Sequence, residues 1–249
     1  MLNLCKMELY RLKKTKTAWV ITALFILSGI IEVIFTVKLE KSDIDICKLV
    51  TTEFGSKITL MFLGILLAGY IAGEYKDGFI KSVAGQISHK GMLALSKIIM
   101  TVMYTLFIFV MDFITITITS FIISKNVTVS FGFHTQYIIL WLTIFIIHIS
   151  ISCLFVFIAV LTRSSSWGIG ITLFISFDMT SLLYIAINML IEKMGIKSVD
   201  ISEYMLDANL THMVLGVSND YIVRSLLVGV LFMVLMVYAG IKIQHVKDI

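Results

Sequence analysis

Four ionisable side chains fall inside long apolar runs: Glu32, Asp112, His148 and Asp178. A charged group at bilayer depth costs about 2.5–3.5 kcal/mol on insertion scales, so each must face protein or water. The chemistry open to such groups is a proton relay, contact with something passing along a polar path, or hydrogen bonding between helices. Each has polar company at helical spacing. Ser28 and Thr36 flank Glu32, Thr115 and Thr119 follow Asp112, Ser152 follows His148, and Ser181 follows Asp178. Polar stripes of this kind suit a translocation path, with Glu32, Asp112, His148, Asp178 and Ser181 as its candidate residues. Taken singly, interhelical bonds of about 1 kcal/mol account for each of them as well. No acid has a basic partner in its own run, which weighs against a proton relay.

Other chemistries lack their residues. The histidines His89, His134, His148, His212 and His245 are scattered, with no H-E-x-x-H spacing to hold a metal. No G-x-S-x-G nucleophile turn occurs. Gly73 and Gly78 have the glycine spacing of a phosphate loop, but Phe79 stands where its lysine would be. The chain is expected to carry no catalytic group, metal or cofactor. Any uphill movement then draws on an ion gradient or on a separate subunit. Cys5, Cys47 and Cys153 lie in a basic segment, a polar loop and an apolar run, so no disulfide is expected.

The elements that must position these residues are membrane spans. Of 249 residues, 59% are hydrophobic and 14% charged, with no proline, and mean hydropathy is +1.00. Soluble domains run at roughly 45–50% apolar and 25% charged. Runs long enough to cross a bilayer occur near 18–37, 58–73, 98–123, 137–161, 167–190 and 222–241. The first is too long for a signal-peptide core and ends without a cleavage site, so it reads as a retained span. The expectation is an all-α membrane protein, one transmembrane domain of six helices over residues 1–249.

Basic residues next to the spans set orientation. One side holds Lys6, Arg11, Lys13, Lys14, Lys16, Lys76, Lys81, Lys90, Lys97, Arg163, Lys242 and Lys247, with few acids. The other side carries more acids than bases. The first side, with both termini, is therefore expected in the cytosol. Positive-inside topology accounts for the net charge of +4, and no nucleic-acid partner is expected.

Two cytosolic stretches are more than connectors. Before the first span, Leu2, Cys5, Leu9 and Leu12 recur at helical spacing opposite Asn3, Lys6 and Lys13, which predicts an amphipathic elbow over 1–17. It serves equally as a surface anchor or as a docking element. After the second span, Phe79, Ile80, Val83, Ala84 and Ile87 put an apolar face on a short helix. Glu74 and Asp77 sit near its start, and Lys81 follows Asp77 by four. A helix of this kind fits a socket on a cytosolic protein. Span two also carries Gly64, Ala68, Gly69, Ala72 and Gly73, including the spacing Gly69-Tyr70-Ile71-Ala72-Gly73; such small residues favour close helix packing, preferably within the chain. The segment 191–221 mixes acids and apolar residues and reads as extracellular or re-entrant, a candidate external gate.

These features resemble the permease subunits of the ABC-2 family of exporters. The likeness rests on Glu8-x-x-Arg11, on Glu74-x-x-x-Gly78, on Ser88-His89-Lys90, on Lys97 opening span three, and on the turn 162–166 between spans four and five. Phe79 stands where threonine is common in the family, and Ile87 where proline is usual. The resemblance implies a coupling helix in the loop 74–97, docking through Glu74, Lys76, Asp77, Gly78, Phe79, Ile80, Lys81, Val83, Ala84 and Ile87. It further implies ABC ATPase subunits that carry the ATP and Mg, and a second permease copy or paralogue. The substrate it suggests is a hydrophobic or amphipathic molecule, preferably a peptide, as in bacterial peptide export or bacteriocin immunity. The alternatives are an ion-coupled carrier using Asp112 and Asp178, and a scaffold or sensor that transports nothing.

Overall fold

With no water to satisfy the backbone in lipid, the apolar runs must close their hydrogen bonds within each segment, as helices do. The computed structural model describes residues 2–40, 43–79, 91–123, 128–194, 200–213 and 217–246. Among these, α1 (Leu2–Lys14) leads into α2 (Lys16–Phe35), which a π-helical stretch, Thr36–Glu40, prolongs. Then come α3 (Ile46–Phe54), α4 (Lys57–Lys76), α5 (Gly91–Ile123) and α6 (Thr135–Thr162). The last group is α7 (Ser165–Ser176), α8 (Met179–Lys193), α9 (Leu206–His212) and α10 (Asn219–Val246). A two-residue parallel pair joins β1 (Ile44–Asp45) to β2 (Val129–Ser130), with Ile44 opposite Val129. The chain is an all-α membrane protein, with this one small exception among the described residues.

Among the described residues, five helices are long and apolar enough to cross a bilayer, namely α2 with its extension, α4, α5, α6 and α10. The count becomes six if α7 and α8, bent by 66°, act as one span. The run 167–190 is therefore broken, not continuous. Asp178 takes a left-handed conformation at the break, with φ of 61°, a conformation that Asp tolerates better than most residues.

At the centre of the bundle lie α4 and α6, whose Leu60, Leu63, Leu67, Ile144, Ile147 and Ile151 are fully enclosed. By contrast α2, α5 and α10 leave whole apolar faces outward, the side a lipid tail would cover. Small residues let α7 approach α4. A Cβ at Gly64 would fall inside the Thr172 side chain, and one at Gly168 would sit 2.6 Å from Ala68 Cβ. Gly69 and Gly73, the pair singled out by spacing, have nothing within 4 Å of such a Cβ. The close approach therefore uses Gly64 and Ala68, two of the five small residues on this span, and not Gly69 or Gly73. Gly64→Val should destabilise the chain by about 1–3 kcal/mol through overpacking, whereas Gly69→Ala should leave stability unchanged or raise it by up to about 1 kcal/mol. Thermal melting of the purified variants checks both, and equal melting for the two contradicts this packing.

Several helices run past the apolar runs that announced them. Glu74 and Lys76 belong to α4 itself, and Lys97 lies two turns inside α5, so the connector between them is shorter than 74–97. Of the coupling residues, Ile80, Lys81, Val83, Ala84 and Ile87 lie outside the described residues. On α1, Leu2 and Leu9 point outward at 68% and 37% exposure, while Glu8 and Leu12 are buried. The reason is a buried cation that Glu8 meets.

Candidate functional site

At the end of the bundle that carries α1, three helices exchange charge. Glu8 sits mid-way along α1, Glu74 in the last turn of α4, and Lys97 two turns into α5. All three side chains are within 1% of complete burial. Lys97 Nζ donates to Glu8 Oε1 at 3.1 Å and also to Glu74 Oε2. Arg11, one turn after Glu8, donates from Nη1 to Glu74 Oε1 at 2.7 Å and lies 3.8 Å from Glu8 Oε2. The Tyr70 hydroxyl, one turn before Glu74, donates to Glu8 Oε2 at 2.7 Å. Each of the four carboxylate oxygens is therefore engaged, and two acids balance two bases. That matters because a buried ion pair repays its desolvation only when its remaining hydrogen-bond sites are filled.

The network extends to the start of the connector. Asp77 ends α4 with its N–H on the Gly73 carbonyl, and Gly78 follows at φ +69°, a left-handed turn that any side chain would strain. Phe79 then lies under the Arg11 guanidinium, whose Cζ is 3.8 Å from the ring centroid, a cation–π contact. From the opposite flank Arg163, left-handed at the turn between α6 and α7, stands 5.2 Å from the Tyr75 ring centroid. The last two turns of α4 thus gather side chains from α1, α5 and the α6–α7 turn. What the arrangement can do is transmit displacement, because α1, α4, α5 and the residue that opens the connector cannot move independently without separating buried charges.

Of the expected coupling residues, Glu74 and Phe79 take part in this network, Asp77 and Gly78 shape the chain reversal, and Lys76 is exposed. Tyr70 and the Arg163–Tyr75 contact were not anticipated. An aromatic residue four positions before an acid on a helix face was the available signal. Lys97 was counted as an interfacial cation and proves to be an internal one.

The translocation-path candidates divide into two groups. Glu32 lines a polar recess of about 290 Å³ with Asp43, Asp45 and Lys48, at the end of the bundle remote from α1. Asp112 is buried nearby against Gly29, where a Cβ would come within 2.9 Å of its Oδ1. Neither Asp112 oxygen has a hydrogen-bond partner among the described residues. His148 donates from Nε2 to the Phe54 carbonyl at 2.6 Å, the tautomer that this acceptor requires. Asp178 and Ser181 belong instead to the α7–α8 break, where Lys57 pairs with Asp178 and the Ser181 hydroxyl donates to the Asp178 carbonyl at 2.6 Å. The basic partner missing from Asp178's own run is supplied by α4. Beyond the break, Asp207 accepts from the Thr180 and Tyr184 hydroxyls, which ties α9 to α8.

Glu53, at the end of α3, is a further buried acid that spacing did not pick out, and its Oε1 has no partner among the described residues. Burial raises its pKa above the usual 4.5, against a smaller lowering by the Ser28 hydroxyl. The folded chain therefore binds this proton more tightly than the unfolded one. The stability linked to it is present below pH 4.5 and is lost as pH rises through the folded value. Glu53→Gln should stabilise the chain at pH 7 by about 1–3 kcal/mol and flatten that part of the profile. Melting temperatures of both forms from pH 4 upward check it, and an unchanged profile contradicts it.

A search of curated proteins finds no match. The family model described as "ABC-2 family transporter protein" matches residues 4–179, a stretch that runs from α1 through the α7–α8 break and contains the whole ion network. The chain belongs to the ABC-2 transporter family.

Proposed function

We propose that this chain is the membrane subunit of an ABC exporter whose energy comes from ATP hydrolysed on a separate ATPase. The ATPase grips the connector that opens at Gly78 and Phe79, and the ion network of Glu8, Arg11, Glu74 and Lys97 carries its movement into α1, α4 and α5. One observation carries this reading. The residue that opens the connector is stacked on an arginine that is itself bonded into a charge-balanced network across three helices, whose Glu8, Glu74 and Lys97 side chains are buried. A passive anchor needs no such arrangement, since buried ion pairs contribute little to net stability.

In this reading α7 and α8 together form the fifth of six spans, α1 is an elbow in the headgroup region, and the α1 end of the bundle faces the cytosol. A second permease copy completes the path. The substrate is an amphipathic peptide, whose apolar side suits the outward Phe177, Leu182 and Leu183 beside the Lys57–Asp178 pair. The test is co-expression with candidate ABC ATPases, followed by copurification and measurement of ATP turnover with and without the chain. A stable complex with stimulated turnover is expected. Failure to bind any ATPase, or transport in liposomes that follows a proton gradient and ignores ATP, overturns the reading.

A further inference from the structure

On the flank of α1 that carries Leu9 and Lys13, a cleft of about 370 Å³ opens between α1, α2 and α5. Its walls are Leu9, Leu12, Ala18, Trp19, Met103 and Phe107. The two hydroxyls on its floor are already committed. Thr22 donates to the Ala18 carbonyl at 2.9 Å, and Tyr104 donates to the same carbonyl at 3.1 Å. The interior therefore asks for an apolar occupant, in a volume within the usual range for ligand sites.

The mouth asks for something else. Lys13 lines it, and Lys16, three positions on at the α1–α2 corner, is exposed, while the Lys14 ammonium lies 5.8 Å from the Tyr10 ring centroid. The Trp19 indole fixes that corner by donating to the Lys13 carbonyl at 2.8 Å. Trp19 itself is half exposed, the placement of an aromatic residue at the headgroup level. A lysine at the mouth and a second exposed one three positions on, next to an apolar slot, complement a molecule with an anionic head and a hydrocarbon tail.

We infer that this cleft is a binding site for an anionic phospholipid, with an acyl chain between α2 and α5 and the headgroup on Lys13 and Lys16. A lipid seated there packs against the same helix that holds Glu8 and Arg11. The inference concerns the chain and its bilayer, and it stands whether or not the exporter reading does.

Native mass spectrometry of the full chain in mild detergent, titrated with phosphatidylglycerol or with phosphatidylcholine of identical acyl chains, tests it. One phosphatidylglycerol should bind at a roughly tenfold lower concentration than phosphatidylcholine. The exposed double variant Lys13→Glu/Lys16→Glu should erase that preference. Met103→Trp, a change at a half-exposed wall residue, should weaken binding of both lipids by filling the slot. Lys242→Glu, at an exposed lysine outside the cleft, should change nothing. Equal binding of the two lipids, a preference that survives the double charge reversal, or binding indifferent to Met103→Trp would each reduce the cleft to ordinary boundary lipid.

Discussion

Lys97→Met should destabilise the chain by about 3–5 kcal/mol, the usual cost of removing one partner from a buried ion pair. The Lys97 side chain is completely buried and is shared between Glu8 and Glu74, which are themselves buried. Methionine keeps most of the volume and removes only the charge. One carboxylate is then left in excess, with Arg11 at the network's wet edge the sole cation for both. The account also predicts a rescue. Adding Glu8→Gln to Lys97→Met restores neutrality, leaves the Arg11–Glu74 pair intact, and keeps an acceptor for the Tyr70 hydroxyl. Most of the lost stability should return. Thermal melting in one detergent, with the single and double variants side by side, checks it; a double variant no better than Lys97→Met would mean that packing, and not charge balance, is at stake.

The second large effect concerns coupling. Arg11→Ala removes the bond to Glu74 and the stack on Phe79 together, while Lys97 still neutralises one buried carboxylate. Phe79→Ala removes only the stack. If the network conveys ATPase movement, each variant should lower ATP-driven transport by a factor in the range of about 5–150, the span of typical coupling free energies. Arg11→Ala should be the more severe because it breaks two links. Insertion and copurification with the ATPase should persist, since neither change touches the core of α4 or α6. Transport by both variants at the level of the unmodified chain would place the transmitting contact elsewhere.

The helical membrane class and nearly every span were legible in the sequence, because a run such as Tyr137 to Leu161 admits few other readings. Element ends were less legible, for a reason visible at Lys97. A lysine beside an apolar run marks the membrane boundary only if its charge stays wet. Here partners 89 and 23 positions away take it in. The burial of Glu8 has the same origin, since Glu8 counts as polar in any periodicity argument yet is enclosed between helices. The bend at Asp178 carried no proline or glycine signal, and the β1–β2 pair is too short for alternation to register. The site itself was half legible. Glu8, Arg11, Glu74 and Lys97 all appeared in the family resemblance, but the contacts between them are tertiary, and no spacing announces that two acids and two bases on three helices share one buried centre.

The most direct measurement uses the charge-neutral double variant Lys97→Met/Glu8→Gln, reconstituted with its ATPase in liposomes, with melting temperature, ATP turnover and substrate export recorded on the same preparation. The account predicts a chain that is folded and close to normal in stability, binds the ATPase, and exports at a small fraction of the unmodified rate, because the ionic link between α1 and α5 is gone. Normal export from that variant would show that the network serves folding alone and would contradict its role in transmission.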